Sequence, residues 1–81
     1  MKLEIIIGNN VRGFRNRMEV SQEKLAELAD VHRTFIGTIE RAEQSISAAT
    51  ISKLAKALKV EPFVLLIKDS FLHGEQYQKL K

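Results

Sequence analysis

The stretch from residue 21 to residue 42 reads SQEKLAELADVHRTFIGTIERA. Its punctuation decides the fold. Ser21 is a good N-cap, because its hydroxyl accepts from a first-turn amide that has no partner inside the helix. Leu25, Leu28 and Ala29 then recur on one helical face, with small Ala26 beside them. Asp30 breaks the pattern, and Asp is one of the few residues besides Gly that tolerates a left-handed turn. A second helical pattern follows, capped near His32. Its Ile36 and Ile39 face one way, and Arg33, Thr34, Gly37, Thr38 and Arg41 face mostly the other.

That outward face has no Glu–Lys ladder of the kind a merely solvated helix carries. It presents an arginine, two threonines and a glycine. Arg forks onto guanine, and Thr offers a hydroxyl and a methyl to base edges. A glycine in mid-helix costs about 1 kcal/mol against Ala, and close approach to another surface is a reason to keep it. Two short helices joined by a tight turn, with reading groups on the second, describe a helix-turn-helix. Arg33, Thr34 and Thr38 are the base-reading candidates. Phe35 either packs at the core edge or lies against a thymine methyl or a sugar.

Outward from this unit, the 81 residues suffice for one domain with a small core, 44% of them being apolar. One proline and four glycines favour an all-α chain with short turns. There is no cysteine, hence no disulfide or thiolate metal site. His32 and His73 lack ligand-type neighbours, so no metal and no cofactor is expected. No Ser-His-Asp or paired-carboxylate set can be assembled, which argues against an enzyme. The opening MKLEIIIG is too short and too acidic for a signal peptide, and no run is long enough to span a membrane. The expectation is a cytoplasmic protein. The net charge of +3 favours an anionic partner. Residues 1–20 carry four positive and two negative charges, whereas 61–81 carry three of each.

Before this unit, Ile7, Val11, Phe14 and Met18 repeat at helical spacing from about Glu4 or Ile5 onward, with Gly8 and Gly13 weakening that helix. After it, Ile46 anchors a polar connector, and Ser47 caps a helix over about 48–58 whose buried face is Ile51, Leu54, Ala55 and Leu58. Val60 anchors the next turn. Pro62 suits the first position of a fifth helix. The five consecutive apolar residues 63–67 would cover that helix's whole circumference. One face packs inward. The rest, Phe63 and Ile67 with Val64 and Phe71, is expected to build a homodimer contact. The other possibility is that the tail from Ser70 folds back over them. Residues 68–81 are an extension, either an extra helix bearing Phe71, Leu72, Tyr77 and Leu80 or a frayed tail.

The Ser-Gln-Glu-x-Leu-Ala opening, the Ile-x-x-Ile-Glu-Arg close and the downstream Leu-Ala-Lys-Ala-Leu together resemble the Cro/repressor-type (XRE) helix-turn-helix regulators. The run HRTFIGTIER is similar to the controller proteins of restriction–modification systems. The resemblance covers about residues 5–67. It implies a compact five-helix domain like that of lambda repressor, with the helix-turn-helix at helices 2 and 3. It also implies that Gln22 touches phosphate and braces the reading helix, and by position it makes His32, Arg41, Gln44 and Ser45 phosphate candidates. Arg15 and Glu40 match a pair that forms a structural salt bridge in phage repressors. Family alignment turns Leu65 and Leu66 inward. Glu19 and Ala42 stand where the family commonly has Gly, which implies a somewhat different inter-helix turn at Glu19 and makes a left-handed helix end at Ala42 less expected.

The function these readings imply is sequence-specific binding of double-stranded DNA by a homodimeric transcription regulator, with no small-molecule ligand. The alternative is a protein-interaction module of the same fold, an antitoxin or an antagonist of a partner regulator.

Overall fold

The structure, a computed structural model, describes residues 2–73. Four α-helices follow in order: α1 (Leu3–Arg17), α2 (Gln22–Ala29), α3 (Arg33–Glu40) and α4 (Ala48–Leu58). Two short 3-10 helices, Pro62–Leu66 and Ser70–His73, complete the described chain. Three helices begin on the caps the sequence marks. Ser21 accepts from the Lys24 amide, Ser47 from the Thr50 amide, and the His32 ring from the Thr34 amide. Ile7, Val11, Phe14, Leu25, Ile36, Ile39, Leu54, Leu58 and Val60 meet in one core.

All four α-helices end in the same way. Glu19, Asp30, Ala42 and Lys59 have φ between 57° and 64°. The next amide in each case reaches back five residues: Val20 to Arg15, Val31 to Ala26, Glu43 to Thr38, and Val60 to Ala55. This is the Schellman motif, which often adds an apolar contact from the residue after the left-handed one. Val20, Val31 and Val60 supply that contact here, packed on or in the core. The backward hydrogen bond, joined at Glu19 by the apolar anchor Val20, holds Glu19 and Ala42 left-handed without glycine. The expectations of a different turn at Glu19 and of a less left-handed end at Ala42 are thus corrected.

The glycines of α1 mark where other parts of the chain come close to it. A Cβ on Gly8 would lie 2.5 Å from the Ile39 carbonyl oxygen, so α1 crosses α3 backbone to backbone. A Cβ on Gly13 would overlap the Phe71 ring at 2.2 Å. Gly8→Ala forces two helices apart, which costs about 1–3 kcal/mol by overpacking, and a gain in helix propensity of about 1 kcal/mol offsets only part of that. Chemical denaturation should therefore show a net loss of stability.

The fifth element departs from expectation. It is a five-residue 3-10 helix rather than an α-helix, so the described chain has four α-helices and not five. The cause is a buried polar clamp. Asn10, fully buried in α1, donates through Nδ2 to the carbonyls of Leu65 (3.0 Å) and Ile67 (2.8 Å). The hydroxyl of buried Ser70 donates to the Val64 carbonyl at 2.6 Å. These bonds tie the segment to α1 and to Ser70, and Ile67 turns extended.

The change of helix type also changes the faces. In 3-10 geometry residues three apart eclipse one another. Leu66 therefore follows Phe63 to the surface, at 40% and 56% exposure, while Val64 and Leu65 are fully buried. The expectations for Leu66 as core and for Val64 as dimer contact are both corrected. Phe71 is half-buried and packs on the core. Leu28 is a further correction, being 47% exposed. Leu25, Ala26 and Ala29 define the buried face of α2, and Leu28 lies about 100° round from its centre at 100° per residue. Tyr77, Leu80 and any helix over 74–81 lie outside the described residues.

Candidate nucleic-acid interface

The α3 helix is held from beneath. Ile36 and Ile39 are fully buried, and Glu40 at its C-terminal end is buried as well. Arg15 meets the Glu40 carboxylate with two parallel bonds, Nε to Oε2 at 2.7 Å and Nη2 to Oε1 at 3.0 Å. Gln22 Nε2 donates to the same Oε1 at 3.0 Å. Arg12 adds a looser pairing at 3.5 Å and a bond from Nη2 to the Glu40 carbonyl. Burial pushes the Glu40 carboxyl up. The hydrogen bonds of Arg15 and Gln22 and the charges of Arg15 and Arg12 outweigh it and hold the group below its ordinary value. Three elements, α1, α2 and α3, are thus pinned at one carboxylate. Sequence reasoning found Arg15 and Glu40 but not the part of Arg12.

The opposite face of α3 is open. Arg33 and Thr34 are exposed, and Thr38 is half-buried. The Thr38 hydroxyl donates to the Phe35 carbonyl at 2.8 Å, which leaves its oxygen able to accept from a base amino group. Phe35 packs against the core edge. Gly37 sits under neighbouring side chains. A Cβ there would come 3.0 Å from Arg41 Nη1 and 3.7 Å from Gln22 Oε1. Its lack of a side chain lets Arg41 and Gln22 lie close over α3.

Around this face stand the phosphate candidates. His32 is exposed at the α3 N-terminus, with its ring Nδ1 engaged by the Thr34 amide. Gln22 is half-buried and committed through its amide nitrogen to Glu40. Arg41 Nε donates to Glu43 at 3.0 Å, and that bond holds the Glu43 carboxyl low. Arg41, Gln44 and Ser45 line one open cleft together with Lys2. The sequence reading did not single out Lys2. It lies 39 positions before Arg41, and only the packing of α1 across α3 joins them.

The apolar candidates lie elsewhere, on the 62–67 segment. Phe63 and Ile67 are exposed, at 56% and 37%. The second 3-10 helix docks on α1, with the Phe71 carbonyl accepting from Arg17 Nη1 at 2.9 Å, yet it leaves Phe63, Leu66 and Ile67 uncovered among the described residues. No group of three His, Cys, Asp or Glu suited to a metal ion occurs among the described residues. No described helix is long and apolar enough to cross a membrane.

Comparison with known proteins agrees with this arrangement. Residues 11–65 match the family described as Helix-turn-helix. The chain is 42% identical over 76 residues to control protein C.SmaI of Serratia marcescens, spanning 94% of this chain and 89% of that one. The crystal structure of the restriction–modification controller protein C.AhdI from Aeromonas hydrophila superposes with a TM-score of 0.74 at 37% identity. That match covers 76% of this chain and 94% of the other. The P22 c2 repressor, solved with a synthetic operator, superposes at 0.73 with 28% identity, covering 85% of this chain and all of that one. On these matches the chain belongs to the helix-turn-helix family of DNA-binding transcription regulators, with close likeness to the restriction–modification controller proteins.

Proposed function

We propose that this protein is a sequence-specific regulator of transcription in the cytoplasm, and the controller of a restriction–modification operon. It acts as a homodimer on a pseudo-palindromic operator. Each α3 enters a major groove, the two grooves lying roughly 34 Å apart along one duplex face. Arg33, Thr34 and Thr38 read bases, while Gln22, His32, Arg41, Gln44 and Ser45, joined by Lys2, set the register on phosphates. One observation carries the reading. The α3 helix buries its apolar side and its Glu40 completely while leaving Arg33 and Thr34 in solvent. The likeness to control proteins supports the operon assignment.

In vitro selection of bound duplexes from a random pool tests this directly. It should return a site with two related half-sites at one-turn spacing. On that site Arg33→Ala should cost about 1–3 kcal/mol at one base pair of each half-site and relax preference there. Unchanged discrimination across all single-base variants would remove Arg33 from the reading set.

Dimerisation is assigned to Phe63, Leu66 and Ile67, the apolar side chains that the segment leaves uncovered. Phe63→Glu should yield helical monomers in analytical ultracentrifugation. A dimer that survives the substitution would move the contact to another face.

A further inference from the structure

We infer that Glu23 is a specificity-determining residue, positioning the Arg33 guanidinium for base recognition from the neighbouring helix. The inference rests on the reading of α3 given above. Its observation is the ion pair between Glu23 Oε2 on α2 and Arg33 Nη1 on α3. Both side chains are exposed, at 67% and 69%, so the pair adds little to stability. Its place gives it another use. Gln22 and Glu23 are adjacent at the start of α2, and they grip α3 at opposite ends, Gln22 at Glu40 and Glu23 at Arg33.

An arginine carries five donors in a rigid plane. Glu23 engages Nη1, so the edge formed by Nε and Nη2 keeps its two-donor fork. Arg15 uses that same edge on Glu40 in this protein. A guanine presents two acceptors, O6 and N7, that match such a fork. A long side chain held by one edge loses less rotamer freedom when its other edge binds. Glu23 also places a negative charge beside the duplex, which opposes any docking that would bring a phosphate there. Both effects raise the preference for the correct base pair over a wrong one.

The test uses the full chain, the selected operator, the same operator changed at the base pair that Arg33→Ala identifies, and a random-sequence duplex, all at one salt concentration. Glu23→Gln should lower the ratio of correct to changed operator affinity by about tenfold, within the range a single base pair commands. Its affinity for the random duplex should rise. Glu27→Gln serves as the charge control. It removes the same charge from α2 but from a residue paired with Lys24, and it should leave the ratio unchanged. On an Arg33→Ala background, Glu23→Gln should not alter the ratio further. A ratio for Glu23→Gln equal to that of Glu27→Gln, with Arg33→Ala still relaxing the same base pair, overturns the role of Glu23 alone. No relaxation by Arg33→Ala overturns the reading of α3 and the role of Glu23 with it.

Discussion

Operator affinity should fall by about 10³–10⁵-fold between roughly 50 and 200 mM salt, the range expected for 6–10 phosphate contacts. Arg41 and Lys2 supply the fixed positive charges among the phosphate candidates, the net charge of +3 adds to them, and a dimer doubles them. Each neutralised phosphate releases condensed counterions, and raising bulk salt reduces that entropy gain. The slope of log affinity against log salt therefore counts contacts. A Phe63→Glu monomer binding one half-site should show about half the parent slope. A nearly flat salt response in the parent would argue that this fold serves a protein partner and not a duplex.

Arg15→Met should destabilise the protein by about 3 kcal/mol, the lower end for removing one member of a buried pair. The lower end applies because Gln22 and Arg12 still reach Glu40. The cost is large because the Glu40 side chain is 1% exposed and cannot turn to water. For a domain of this size each kcal/mol shifts the melting temperature by about 4–8 °C, so thermal denaturation should show a drop of roughly 12–24 °C. A drop of only a few degrees would mean that Gln22 and Arg12 satisfy the carboxylate unaided.

The pH dependence has a definite sign. The folded Glu40 carboxyl is held below its ordinary value. Its contribution is therefore complete above the unfolded value, about 4.3, and is lost as pH falls through the lower folded value. Acid unfolding of the parent should carry this slope, and Arg15→Met should lose much of it.

The helices of this protein were legible because their signals are local. Ser21, Ser47 and His32 cap within three residues of themselves, and Leu25 with Ala29 or Ile36 with Ile39 repeat inside single turns. The segment 62–67 was not legible in the same way. Five apolar residues in a row have no period, so their inward face is undetermined by the pattern itself. It is decided by Asn10, which is 55 residues away from Leu65. Nothing near Asn10 in the sequence marks it as other than a polar residue on a helix. The candidate readers of α3 were visible as residue types, but the pairing of Arg33 with Glu23 depends on the angle between two helices. The shared cleft of Lys2 with Arg41 likewise depends on α1 crossing α3 at Gly8.

The Asn10 amide has a consequence for how two protomers associate. It sets the conformation that brings Phe63 and Leu66 to the same side. Under the proposed assembly, self-association can be tuned from the interior, by a side chain that no second subunit touches. Natural variation in the concentration at which such a regulator switches on need not leave its mark on the surface where the subunits meet.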